Sequence, residues 1–414
     1  MTDEEDIRGL LEAAPAPPPG VDIGGVVDRG RRAVARRRTA GVAGAGSLAL
    51  VLVAATVAVL GVRSGSGHTP ATTLAGSKSG KPEATASHPS QPGTTTRPYE
   101  TTPSTPPPAA ATVTCAATAL AVPAGYDNVS AGIIDPSGRY VGGESTIGQD
   151  FVPIMWIDGV PRVVPAHGQS AEIGAINSHG VAVGTILSNN YRDQVIFRYQ
   201  DGVLTKLRSP VPKSWNLYPQ PYINEAGAIV VNAEPPGHSG GDGSIVIEWS
   251  PGATTGHVLA MREIDDVLAI GGDFLAGGSY PGGIGQDALV WDTDGGNART
   301  LGHPAGMSAL VYGVGGHFAV GGFWTADDRP LPALWDLSTG KFTQPPLNGP
   351  LQSVNAKGWT VDGTRAYLGG PIGAFGPLPG HSAGTANGVA IADDGTVAGD
   401  VADNDGTVPA VWHC

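Results

Sequence analysis

From residue 112 onward, short apolar runs alternate with turns rich in Gly, Asn and Asp, and the alternation recurs. A turn ending in Gly or a polar residue precedes an apolar run that often closes on Gly. The copies are DPSGRYVGG at 135–143, NSHGVAVG at 177–184, NEAGAIVV at 224–231, IGGDFLAGG at 270–278, VGGHFAVGG at 314–322, NAKGWTVDG at 355–363 and ADDGTVAGD at 392–400. The turn glycines fall at 138, 180, 227, 272, 316, 358 and 395, spaced 42, 47, 45, 44, 42 and 37 residues apart. Gly, Asn and Asp tolerate the positive φ of a tight reversal, so each copy predicts a hairpin between antiparallel strands.

A second marker keeps step with the first. About 15–20 residues after most turns comes an apolar strand carrying an aromatic: Trp156, Tyr199, Trp249, Trp291, Trp335, Tyr367 and Trp412. Large aromatics at equivalent places in successive units are expected to pack between neighbouring units rather than to stack on a ligand. Seven units in the last 303 residues give about 43 residues each, which suits a four-stranded propeller blade. The expected fold is therefore all-β, a seven-bladed β-propeller, with six or eight blades as the alternatives.

The ends of the repeat show how it would close. The last unit stops at its aromatic strand, VPAVWHC, whereas a further strand follows in earlier units, such as GVPRVVPAHG at 159–168 and GVLTKLRSP at 202–210. The segment CAATALAVPAG at 115–125 supplies a matching strand before the first unit. It is expected to complete the last blade and leave no open sheet edge. That closure sets Cys115 beside Cys414, the only two cysteines of the chain. A disulfide is the expectation for an extracellular domain, and two unrelated thiols the alternative.

AINSHGVAVG at 175–184 and WIDG at 156–159 resemble the extracellular HAF-type propeller repeats of bacteria, which carry an I-N-x-x-G-x-V-x-G core and a later W-x-x-G strand. The resemblance covers roughly 127–414 and implies a propeller without implying an activity. Units three to six depart from the pattern. Val231-Asn232 stands where the closing Val-Gly is expected, and the sixth unit is short.

Before the repeat the pattern changes. Residues 40–62, AGVAGAGSLALVLVAATVAVLGV, carry no charge and as a helix would span ~34 Å, enough for a ~30 Å hydrocarbon core. Arg29, Arg31, Arg32, Arg36, Arg37 and Arg38 precede the run and only Arg63 closely follows it. The expectation is one transmembrane helix with residues 1–39 in the cytoplasm and the repeat outside. In the tail, Thr2 with Glu5 fits a capping box, and Ile7, Leu10, Leu11 and Ala14 follow a helical face, a surface on which a cytoplasmic partner could dock. This segment resembles the inner tails of actinobacterial single-pass proteins, some of them anti-sigma factors, although it lacks the His and Cys of their zinc-binding members. Residues 63–111 contain 26 Ser, Thr or Pro and read as a disordered stalk.

Composition sharpens this division. The chain has 63 Gly, 36 Pro and a net charge of −13. So much Gly excludes a helical bundle, since each Gly costs ~1 kcal/mol against Ala in a helix interior. The stretch 112–414 holds 28 acidic and 13 basic side chains and so repels phosphate backbones, which removes nucleic acid as a partner. Two G-x-S-x-G matches, at Ser239 and Ser382, lack the strand-to-helix context of a nucleophile elbow. The acidic pairs Asp292-Asp294, Asp393-Asp394 and Asp403-Asp405 reproduce no calcium loop, and the scattered His residues no zinc motif. No catalytic residue, metal or cofactor is expected from motifs. The leading expectation is a membrane-anchored extracytoplasmic module that binds a protein or a glycan, with the connections Pro235–Ser244 and Ile372–Thr385 as its variable loops. The alternatives are a hydrolase or lyase built on a propeller, and a signalling protein whose tail holds a regulator.

Overall fold

The structure is a computed structural model and describes residues 111–414 except 149, 190–192, 238–242, 282–284, 382–383 and 404–405. The tail, the transmembrane segment and all of the stalk but Ala111 lie outside the described residues, as do Ser239 and Ser382. Among the described residues there is no α-helix, and no helix is long and apolar enough to cross a membrane.

Strand β1 (Thr112–Ala119) opens the domain, and five four-stranded antiparallel sheets follow in chain order. The first holds β2 (Val129–Ile134), β3 (Tyr140–Ile147), β4 (Asp150–Ile157) and β5 (Val160–Val163). The second holds β6 (Ser170–Ile176), β7 (Ala182–Ser188), β8 (Asp193–Gln200) and β9 (Val203–Lys206). The third holds β10 (Asn216–Ile223), β11 (Ile229–Glu234), β12 (Ile245–Trp249) and β13 (His257–Val258). The fourth holds β14 (Asp265–Gly271), β15 (Phe274–Ser279), β16 (Asp287–Asp292) and β17 (Arg299–Thr300). The fifth holds β18 (Ser308–Gly315), β19 (Phe318–Trp324), β20 (Pro330–Asp336) and β21 (Lys341–Thr343).

The remaining strands form one sheet of seven: β22 (Thr360–Val361), β23 (Arg365–Tyr367), β24 (Ile372–Phe375), β1, and then β27 (Gly406–His413), β26 (Thr396–Asp403) and β25 (Thr385–Ile391). In this sheet β1 serves two neighbours. Thr112–Cys115 pairs in parallel with Ile372–Phe375, and Ala116–Ala119 pairs antiparallel with His413–Ala410. Cys115 stands at the changeover and forms a disulfide with Cys414, 299 residues away. The stretch Ile372–Thr385, expected as a variable loop, thus begins as the strand β24 that receives β1. Its apolar Ile372 and its backbone are drawn into the sheet by that pairing.

Successive sheets pack face to face in a closed cycle. β6 packs on β4, β10 on β6 and β7, β14 on β10 and β11, and β18 on β14 and β15. Val320 and Leu334 of the fifth sheet share a core with Leu351, Val354 and Ile372, and β22 packs on β25. β2 then meets β25, β26 and β27, so the last sheet contacts the first. A cycle of twisted antiparallel sheets packed on their faces is a β-propeller.

All seven turn glycines have a positive φ, from 54° at Gly316 to 97° at Gly395. The Asn at the head of a turn has a further use. Asn177 Oδ1 accepts from the backbone of His179 and Val181, closing its own turn, while its Nδ2 donates to the Asn224 carbonyl of the next sheet at 3.1 Å. Asn355 does the same, with Nδ2 donating to the Ala392 carbonyl at 2.8 Å. Where Gly271 and Gly315 replace this residue, the next sheet's backbone fills the space. The Val314 and Val354 carbonyls lie 2.7 and 2.4 Å from where a Cβ would stand.

The closing Gly answers a different constraint. The innermost strand of each complete sheet carries a bulge, for example between Ala131 and Ile133, Ile173 and Ala175, and Val311 and Gly313. A bulge puts two residues opposite one and tips a carbonyl toward the partner strand. At Gly143, Gly184, Gly277, Gly321 and Gly399 an added Cβ would stand within 2.0 Å of that carbonyl oxygen. The third sheet shows the reverse. Its register shift is wider, between Tyr218 and Tyr222, and Val231 is the residue opposite it. The departure expected at Val231-Asn232 is therefore confined to Val231, for which the larger bulge makes room. Asn232 is one rung further on and binds the next sheet.

Candidate functional site

The seven aromatics occupy equivalent rungs. Trp156 pairs with Val141, Tyr199 with Ala182, Trp249 with Ile229, Trp291 with Leu275, Trp335 with Ala319, Tyr367 with Thr360 and Trp412 with Val397. The five Trp are enclosed, Tyr199 is buried and Tyr367 is half-buried. Their surroundings come from two sheets at once. Trp249 lies among Val181, Val183 and Ile196 of the second sheet, and Trp335 among Ala276, Ala288 and Val290 of the fourth. Four indoles donate to a carbonyl in the connection arriving from the preceding sheet: Trp156 to Ala121, Trp249 to Arg208, Trp335 to Gly302 and Trp412 to Gly376. The five Trp rings and Tyr199 fill seams, and Tyr367 packs part-buried against the core of Val320, Leu334 and Leu351.

Polar side chains converge elsewhere, at the sheet ends where β10 and β14 begin and β11 and β15 finish. The Tyr218 hydroxyl lies 2.9 and 3.0 Å from the two carboxylate oxygens of Asp266. Ser244, at the close of the connection 235–244, donates to the same carboxylate. Asn232 clamps the next strand from the third sheet, its Oδ1 accepting from the Val267 N–H and its Nδ2 donating to the Val267 carbonyl. One seam back, Gln220 Nε2 donates to Glu172 at 3.0 Å. Glu172, Glu234, Asp265 and Asp266 are all buried. Asp265 is paired with Arg262 at 2.6 Å.

Burial pushes the Asp266 carboxyl up to about 6. The hydroxyls of Ser244 and Tyr218 oppose that rise, and the neighbouring charges of Glu234 and Asp265 add to it. Burial also raises Tyr280, reinforced by Tyr312, Asp266, Tyr218 and Tyr222 around it. The Tyr280 hydroxyl is enclosed without a hydrogen-bond partner among the described residues. Across the ring Asp400 is likewise pushed up to about 6 by burial, against a hydrogen bond with Asn387.

A carboxyl titrating near neutrality beside a tyrosine hydroxyl can hold a donor or cation, or exchange a proton with a bound group. Among the described residues no group of three or more His, Cys, Asp or Glu is arranged to hold a metal ion. Asp294 and Asp394 serve their own turns, bonding the N–H of Gly296 and of Thr396. No motif marked this cluster in the sequence. Its one visible trace is Asp265-Asp266 standing directly before an apolar strand.

No protein-family model and no curated protein matches the chain. Among solved structures it is similar to oligogalacturonate lyase from Vibrio parahaemolyticus, with 9% identity over 73% of this chain and 98% of that one and a TM-score of 0.43. It is similar to TolB from Acinetobacter baumannii at 12% identity, over 71% and 65% of the two chains, with a TM-score of 0.37. The tricorn protease gives 12% identity over 68% and 31%, with a TM-score of 0.36.

Proposed function

We propose that this chain is a single-pass membrane protein whose seven-bladed propeller stands outside the cell and binds a polar ligand, from a protein or a cell-wall glycan, at the Asp266 end of its second to fourth sheets. The observation that carries the binding site is the convergence of the Tyr218 and Ser244 hydroxyls on the buried Asp266 carboxylate, at the ends where β11 and β15 finish. Loops held at one end of a rigid scaffold are the usual place for recognition. The anchor and orientation are supported by the uncharged run 40–62 and the Arg cluster before it. Seven blades are supported by five four-stranded sheets together with a seven-stranded sheet that β1 joins from two parts. The first part is β22–β24 preceded by the Val354–Thr360 bridge, in the place of an inner strand, and the second is β25–β27.

A second reading, an extracytoplasmic enzyme, is favoured by the same Asp266, because a carboxyl near pH 6 suits general acid–base work. Two measurements test these readings. Protease added to intact cells is expected to remove the propeller and spare residues 1–39. Isolated cell-wall fragments and surface-protein extracts are expected to bind the full chain and to lose that binding in Asp266→Asn and Tyr218→Phe. Binding that both variants retain would overturn the site, and chemical change of the bound material that Asp266→Asn abolishes would favour the enzyme.

A further inference from the structure

We infer that the cluster around Asp266 and Tyr280 receives the ammonium end of an organic amine. This rests on the reading of that end as the ligand-binding end, and it names the chemical class of the guest.

The argument begins with an imbalance between adjacent carboxylates. Asp265 is matched by Arg262, with contacts of 2.6 and 2.9 Å. Asp266, buried beside it, takes hydrogen bonds from neutral hydroxyls only, those of Tyr218 and Ser244, and forms no ion pair among the described residues. Glu234, also buried, adds negative charge nearby. A buried carboxylate without a cation is costly, and removing the partner of a buried pair typically costs several kcal/mol. Among the described residues a counter-charge stands beside Asp265 and none beside Asp266.

The second observation is independent of charge. Tyr280 is 6% exposed and its hydroxyl has no partner among the described residues. Buried polar atoms are almost always satisfied, so an orphan marks a place where something else completes the bond. Asp266 pairs with Gly278 and the Tyr280 N–H donates to the Ile264 carbonyl, so Tyr280 and Asp266 stand on the same face of the β14–β15 pair.

Four kinds of guest can be compared. An anion would meet Asp266 and Glu234 and be repelled. A bare metal ion needs several oxygen ligands, and no such set stands among the described residues. A neutral hydroxyl could satisfy Tyr280 but would leave the carboxylate uncompensated. An ammonium group has three donors and a positive charge. It can donate to Asp266 and to the Tyr280 oxygen, and phenol rings favour a cation over their faces.

The test uses the full chain in detergent or nanodiscs at pH 7.5, with n-butylammonium chloride as the probe. Controls are butan-1-ol, sodium butyrate and sodium chloride at matched ionic strength. Butylammonium is expected to raise the unfolding temperature saturably, while the three controls leave it unchanged. Asp266→Asn is expected to weaken the apparent affinity by about tenfold or more, and Tyr280→Phe by about threefold. If Asp266→Asn fails to fold, Tyr280→Phe and Tyr218→Phe carry the comparison. A response no larger than that to butan-1-ol, or one unchanged in all these variants, overturns the inference. Cell-wall or surface-protein binding that depends on Asp266 without any response to butylammonium overturns the ammonium and leaves the binding end standing. A response to butylammonium that needs Asp266, alongside extract binding that does not, supports the ammonium site and overturns the wider reading.

Discussion

The Tyr218 hydroxyl bridges both carboxylate oxygens of Asp266, at 2.9 and 3.0 Å, across the seam between the third and fourth sheets. In Tyr218→Phe the carboxylate keeps, among the described residues, the Ser244 hydrogen bond. The variant is expected to lose about 1.5–3 kcal/mol at neutral pH, the range for a hydrogen bond to a charged group. Because the Tyr218 hydroxyl favours the charged form, its loss is also expected to move the Asp266 titration upward. Urea unfolding at pH 7 and an infrared titration of the carboxyl band check the two effects separately.

Asp266 and Asp400 are both raised from an ordinary value of 3.8 to about 6. The folded state therefore holds more protons than the unfolded chain between about pH 4 and 6. By linkage, the contribution of these two groups is fully present below about pH 4 and is lost as pH rises through 6. Stability measured from pH 4 to 7 is expected to fall less steeply in Asp266→Asn and in Asp400→Asn than in the parent chain. Identical slopes would contradict the assignment.

Gly321 has no special φ, yet a Cβ there would stand 1.9 Å from the Leu310 carbonyl oxygen. Gly202 is the opposite case, with φ of +80° and open space around it. Gly321→Ala is expected to cost about 3 kcal/mol because backbone must move, and Gly202→Ala about 1 kcal/mol from left-handed strain alone. Thermal unfolding of the two single variants measures the contrast. Equal losses would show that the bulge yields easily.

In β1 only Cys115 is buried, so this strand is held by its backbone ladder and by the disulfide rather than by apolar packing. Cys115→Ser with Cys414→Ser is expected to cost about 2–5 kcal/mol. Amide exchange should accelerate first at Thr112–Ala119 and then along β24 and β27, its two partners. Uniform acceleration through all sheets would mean that the ring opens elsewhere.

Much of the fold was legible because it rests on local rules. A hairpin needs a positive φ, and the seven Gly that supply it stand at intervals anyone can count. Aromatic rungs recur because every seam needs a large apolar filler of similar shape. The closing strand was legible too, since an incomplete last unit requires a partner and the segment at 115–125 was spare. Other features had no local signature. The bulge that forbids a side chain at Gly143 or Gly321 lies on the neighbouring strand. The double use of β1 depends on β24, whose sequence read as loop.

By itself, then, the sequence determined the repeat, the turn positions, the seam aromatics and the segment able to close the ring, since each depends on spacing within one unit or on matching ends. Only the tertiary structure decided that Tyr218, Ser244, Asp266 and Tyr280 meet. They come from four stretches of chain, and no residue among them is unusual in its own neighbourhood. Their chemistry is set by burial against one another, and burial is a property of packed sheets rather than of the order of residues along a strand.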